Sequence, residues 1–341
     1  MNLEQLLTRG RDHGIYSAAA WSVGTERGEL SGGVIGTRSW DGPALTRSDL
    51  FDLASVTKPI AGLAAMALLE QGRLTLDSTL GELVPFFRGS DKADLTARDL
   101  MLHTSGVPGQ VPLYRDHPTR ESMLDALRDL PLRRKPGEAV EYSSQGMIML
   151  GMMAEAAGEA TLDDLVSTFV TEPAGMTDTM YRPSDADRVR CVATENCAWR
   201  GRVVVGEVHD ENAVVLGGVA AHAGLFGTVD DLARLGRALL ANLTERVLLS
   251  PVTLSVMIEN QTGPEARGLT WQGRDRTGSP AGDLVGPATF GHTGFTGTSL
   301  FVDPALGRYF VLLTNRVHPN RAGVGIQAVR RAFHNVAVGS G

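Results

Sequence analysis

A chain of 341 residues with 43% hydrophobic and 21% charged residues has the balance of a soluble globular protein, able to bury one large core or two closely packed lobes. Its 32 Lys+Arg against 39 Asp+Glu give a net charge of -7, and its longest basic run is Arg133-Arg134-Lys135, which argues against nucleic acid or an anionic membrane as partner. No stretch reaches bilayer-spanning length and Met1 to Leu7 starts an amphipathic helix, so a cytoplasmic location is expected; Cys191 and Cys197 suit reduced thiols better than a bridge.

In chain order, a short helix precedes strand-like runs at Tyr16 to Val23 and Glu29 to Ile35, and Phe51-Asp52-Leu53-Ala54 leads into Ser55. A buried helix follows, with Pro59 in its first turn, Ile60, Leu63, Ala67 and Leu68 along one face, and Gly72 as the stop. Helical signals dominate from about residue 73 to 190, with capping patterns at Thr96/Asp99 and Thr161/Asp164. Past residue 200 strand signals return, interrupted by a helix opened by Thr228 and Asp231. Leu300 to Val302 and Tyr309 to Leu313 make a hairpin around Asp303-Pro304 and Gly307, and Ile326, Val329 and Phe333 mark the inner face of a closing helix. The expected fold class is α+β: an antiparallel sheet flanked by helices with a mainly helical insertion. The expected organisation is one catalytic unit over 1–341, its α/β lobe formed by 1–56 and 200–341 and its helical lobe by 57–199.

Ser55-Val56-Thr57-Lys58 puts a hydroxyl and an amine one helical turn apart, so the lysine can take the serine's proton and make a nucleophile. Lys58, Lys92 and Lys135 are the chain's three lysines, which makes a chance pairing at this spacing less frequent. A surface pair at a helix start is the plain alternative. Such chemistry also needs a group for the leaving-group proton and donors for an oxyanion. Tyr142-Ser143-Ser144, after Pro136-Gly137, and the glycine-spaced run Gly291 to Thr298 are the candidates. Taken singly, Tyr142 reads as a half-buried packing residue and His292 as a satisfied edge-strand histidine.

Together and in this order the three runs resemble the penicillin-recognising serine hydrolases: class C β-lactamases, DD-carboxypeptidases and family VIII carboxylesterases, in a β-lactamase/transpeptidase-like fold. Leu102-His103-Thr104-Ser105-Gly106 is similar to another station of that family, and the resemblance covers most of the chain. It implies Ser55 as the acylated nucleophile, Lys58 and Tyr142 as proton carriers, and the N–H groups of Ser55 and Phe295 as the oxyanion hole. It further implies that Ser144, His292, Thr293 and Gly294 meet the substrate, with no metal or cofactor. Two departures stand out. Ser144 occupies the usual asparagine position, and His292 replaces the lysine of β-lactamases, with an expected charge that is only partial near neutrality. A small ester, amide or β-lactam is the implied substrate. A carboxylesterase or β-lactamase-like hydrolase ranks first, a D-alanyl-D-alanine carboxypeptidase second, and a penicillin-binding sensor that acylates without turnover stands as the non-enzymatic alternative. The glycine-x-serine-x-glycine run of an α/β-hydrolase is missing.

Three further expectations concern supporting residues. The plain and favoured reading of His209 and Asp210 is that they lock a loop by hydrogen bonds; the sharper ones are that they orient one another near the cleft or, with His222, bind a metal. His103 fixes a turn beneath the site. Trp271 either walls the acyl pocket with Phe295 or packs in the core.

Overall fold

The computed structural model describes residues 1–340. Helix α1 (Leu3–Asp12) leads into strands β1 (Ala18–Thr25) and β2 (Gly28–Gly36), then β3 (Phe51–Asp52), a single 3-10 turn and helix α2 (Thr57–Glu70). Helices α3 (Leu80–Leu83), α4 (Ala97–Met101), α5 (Arg120–Asp129), α6 (Ser144–Gly158) and α7 (Leu162–Val166) come next. Short elements follow: β4 (Met180–Tyr181), α8 (Asp185–Arg188), β5 (Asn196–Cys197), β6 (Arg202–Val203), α9 (Glu211–Val215) and β7 (Leu225–Gly227). The chain ends with α10 (Val229–Ala241), α11 (Pro251–Ile258), β8 (Gln272–Gly273), β9 (Phe290–Thr293), β10 (Ser299–Asp303), β11 (Arg308–Thr314) and α12 (Ile326–Gly339).

Six strands form one antiparallel sheet in the order β2-β1-β11-β10-β9-β8, so the two chain ends meet where β1 pairs with β11. Successive side chains of a strand point to opposite faces, and here both faces are apolar. Ala18 and Ala20, Leu300 and Val302, and Tyr309, Val311 and Leu313 join the larger core, whereas Ala19, Trp21 and Val23, Phe301, Phe310 and Leu312 join a second core under α1 and α12. The sheet is therefore a middle layer. The expected mixed architecture holds, with boundaries moved by local chemistry: β1 begins at Ala18, because Tyr16 instead turns its buried hydroxyl to the carbonyl of Leu7 at 2.8 Å.

Helices α2 and α6 carry the helical part of the core. They are apolar almost all round, and a helix of that kind must be enclosed on every side; Ile60 through Leu68 and Met147 through Leu150 are all buried. Each fully buried Leu or Met is worth about 1.5–3 kcal/mol relative to exposure. Caps fix where the surrounding helices start: Thr96 bonds Asp99 N, Thr161 bonds Asp164 N and Thr228 bonds Asp231 N. Gly72, in the left-handed region at φ 70°, follows the end of α2.

Candidate active site

Ser55 lies in the 3-10 turn Ala54–Val56 between β3 and α2. Ala54 reaches it through a left-handed backbone (φ 46°), held there by its N–H bond to Asp52 Oδ1 at 2.8 Å. The strand before the nucleophile is stapled to the loop after β9. Thr296 Oγ1 donates to Asp52 O at 2.7 Å and Thr298 Oγ1 to Leu53 O at 2.9 Å, which brings Phe295 beside Ser55 on one cavity wall. Neither the Ser55 nor the Phe295 N–H has a backbone acceptor outside regular elements among the described residues, so both remain available to an incoming oxygen.

Lys58 is completely buried. Its Nζ lies 2.9 Å from Ser55 Oγ, 3.1 Å from the carbonyl of His222 and 3.5 Å from Ser144 Oγ. All three neighbours are uncharged oxygens. Tyr142, just ahead of α6, sets its ring 4.7 Å from Lys58 Nζ, with His103 on one side (centroids 4.8 Å apart) and His292 on the other (5.9 Å). No hydrogen bond joins the Tyr142 hydroxyl to Ser55 or Lys58 among the described residues; the contact runs through the ring face. His103 does fix the turn under the site: itself left-handed at φ 59°, it accepts the Ser143 N–H at Nδ1, 3.2 Å away.

Several expectations are corrected. His209 and Asp210 do not orient one another, because they face different partners: His209 Nε2 lies 3.0 Å from Glu195 Oε2, while Asp210 Oδ1 lies 2.9 Å from His222 Nε2 and caps α9 through Ala213 N. Burial pushes the Asp210 carboxyl up, but His222 and Lys58 outweigh it and hold the group well below the usual carboxylate range. His292 is not partly charged. Burial first, then the nearby Lys58 and Arg267, push it well below the ordinary imidazole value, and it lies in β9, flanked by β8 and β10 rather than at an edge. Its Nδ1 faces the Thr293 carbonyl at 2.8 Å and so carries the proton, leaving Nε2 as a buried atom with no protein partner. Trp271 is core, 1% exposed and edge-on to Phe290 with centroids 5.1 Å apart, whereas Phe295 is 46% exposed at the cleft.

Two cavities meet at Ser55, Gln110 and Phe295. One, of about 240 Å³, is lined by Ser144, Asp210, Asn212, Tyr114 and Arg321. The other, of about 270 Å³, carries Tyr142, His292, Thr293, Arg267, Arg316 and Arg330, and no carboxylate among the described residues. Arg267 is mostly buried, and the nearest carboxylate, on exposed Glu265, stands 3.8 Å away. This cationic wing escaped the sequence. A signal existed for one member: Arg330 is four residues after Ile326 and three before Phe333, a charge on the apolar stripe of α12.

Behind the first cavity, Glu195, Cys197 and Glu211 offer ligand-type atoms within 4.8 Å of one another. That cluster already has its cation, since Arg321 bonds both Glu195 oxygens, Nη2 to Oε2 at 2.5 Å, and also Glu211. Burial pushes the Glu195 carboxyl up, but bonds from His209 and Arg321 win and bring it to about 2.

Comparisons with known proteins bear on the family and the fold. The family model described as Beta-lactamase matches residues 3–333. An Escherichia coli K12 protein provisionally named a D-alanyl-D-alanine carboxypeptidase is 30% identical over 306 residues, spanning 80% of this chain and 70% of the relative. Among solved structures, EstCE1, described as a hydrolase with promiscuous acyltransferase activity, superimposes with a TM-score of 0.80 at 21% identity over 98% of this chain and 97% of its own. A penicillin-binding protein homologue from Caulobacter crescentus gives 0.78 at 19% identity, with 99% and 96% covered. No helix among the described residues is long and apolar enough to cross a membrane.

Proposed function

The chain belongs to the beta-lactamase family, and from that premise we propose that it is a serine hydrolase working through an acyl-enzyme at Ser55, on a small ester or amide. The observation that carries the reading is Lys58: a fully buried amine 2.9 Å from the Ser55 hydroxyl, with uncharged oxygens as its other partners. Lys58 Nζ takes the proton while Ser55 Oγ bonds to the substrate carbonyl carbon. The N–H groups of Ser55 and Phe295 receive the oxyanion. The leaving group then departs with the proton held by Lys58, passed on through the Tyr142 hydroxyl once substrate closes the gap between them. Water cleaves the acyl ester by the same route in reverse and restores Ser55. Ser144 shares Lys58 with Ser55 and borders the acyl side, while His292 stays neutral and shapes the wall behind Tyr142.

Incubation with p-nitrophenyl acetate tests the reading: a 42 Da adduct from one acetyl group is expected by intact mass in early turnover, on a peptide containing Ser55. The adduct is absent from Ser55→Ala, and equal labelling of that variant sinks the proposal.

A second reading, D-alanyl-D-alanine carboxypeptidase, draws support from the carboxylate-free wing with Arg267 and Arg316, suited to a leaving group that ends in a carboxylate. The provisional name of the 30% identical relative points the same way. Release of D-alanine from an acyl-D-Ala-D-Ala peptide, compared with its C-terminal amide, decides between the two.

A further inference from the structure

We propose that Arg330 is a positioning residue for the oxyanion hole: from the back of the cleft its guanidinium grips the Gly294 carbonyl and so aims and polarises the Phe295 N–H. The inference rests on the reading of that N–H as an oxyanion donor. Arg330 Nη2 donates to Gly294 O at 2.6 Å and to Thr298 O at 2.9 Å. Gly294 O and the Phe295 N–H belong to one planar trans peptide and point in opposite directions. Whatever fixes the carbonyl therefore fixes the line of the N–H, and a cation drawing electron density toward that oxygen leaves the N–H a stronger donor.

The electrostatics of Arg330 point the same way. It is 2% exposed and has no carboxylate within 4 Å among the described residues, its neighbouring charge being Arg316, and burial pushes its guanidinium down to about 9. An unpaired buried cation is costly to keep. The anion it lacks comes into existence on the far side of the Phe295 peptide only when the substrate carbonyl becomes tetrahedral, so the charge is matched to the transition state rather than to the resting enzyme. Arg316 offers a built-in comparison. Its Nε donates to the next carbonyl, Phe295 O, at 2.6 Å, but that oxygen belongs to the peptide after the donor.

The test uses the full chain with Arg330→Met, Arg330→Gln and Arg316→Gln, and a neutral ester, p-nitrophenyl butyrate. Arg330→Met is expected to lower kcat about tenfold to hundredfold with KM within twofold, the range seen when a supporting partner of a catalytic group is lost. Arg330→Gln, which keeps a neutral donor, falls between it and the wild type, and Arg316→Gln loses less than either. A phenylboronic acid, which forms a tetrahedral adduct on the serine, weakens in step with kcat, and added methylguanidinium restores part of the Arg330→Met rate. Folding is checked by circular dichroism, and if Arg330→Met does not fold, Arg330→Gln decides by the same criteria. An unchanged kcat in a folded variant overturns the inference, as does a loss confined to KM for carboxylate-bearing substrates, which makes Arg330 a substrate contact. Failure of the wild type to acylate at Ser55 removes the underlying reading instead; normal acylation in all variants removes this inference alone.

Discussion

Gly294→Ala probes the joint between the nucleophile and the oxyanion loop. A Cβ built on Gly294 lies 2.6 Å from Leu53 O and closer still to Thr298 Oγ1. Ordinary van der Waals contact starts at 3.4 Å, so against the Leu53 carbonyl the loop must retreat by 3.4 − 2.6 = 0.8 Å. The Thr298 hydroxyl has to turn away as well, which breaks its 2.9 Å bond to the same carbonyl. Overpacking of this kind costs about 1–3 kcal/mol. For a chain of this length, with roughly 2.1 cal/mol/K of unfolding entropy per residue, Tm falls by about 1–4 °C. The catalytic loss is larger than this stability cost suggests, because a displacement near 1 Å of a group in the reacting geometry costs about a hundredfold. The expected result is thus a folded protein with kcat/KM for p-nitrophenyl acetate lowered about two decades, read by initial rates and differential scanning fluorimetry. Full activity at an unchanged Tm refutes the reasoning, since Phe295 N–H then does not depend on the seat of Gly294.

Two other consequences follow from the charges around the cleft. Arg267→Gln is expected to raise KM about tenfold to hundredfold for a peptide ending in a carboxylate, the span of one charge-assisted hydrogen bond of about 1.5–3 kcal/mol, while leaving p-nitrophenyl ester kinetics within twofold; equal losses on both substrates contradict a carboxylate role. Glu195, held at about 2 against 4.5, is a depressed carboxylate, so its stabilisation is fully present above pH 4.5 and is lost as pH falls toward 2. Wild type should therefore exceed Glu195→Gln in Tm at pH 6, keep only part of that lead at pH 3 and lose it near pH 2, and a gap that stays constant with pH rules out the Glu195–Arg321–His209 network as its source.

What the sequence determined by itself is whatever a few neighbouring residues decide. The three-residue interval from Ser55 to Lys58, the caps at Thr96, Thr161 and Thr228, Gly72 after α2, and the β10–β11 hairpin all follow from backbone geometry over one turn or one strand, and the structure has each of them. The order of the three motif runs carried the fold, because that order is a family property. Tertiary structure alone decided the partners. His209 is adjacent in sequence to Asp210, yet the fold gives it Glu195 and gives Asp210 to His222. His292 lost its expected charge through burial beside Lys58 and Arg267, and the oxyanion loop is tied to the nucleophile strand by threonine bonds spanning 244 and 245 residues. A period of 2 or 3.6 residues tells which way a side chain points from its own element, whereas a pKa or an ion pair depends on what another element brings opposite it, and that is set only when the whole core closes.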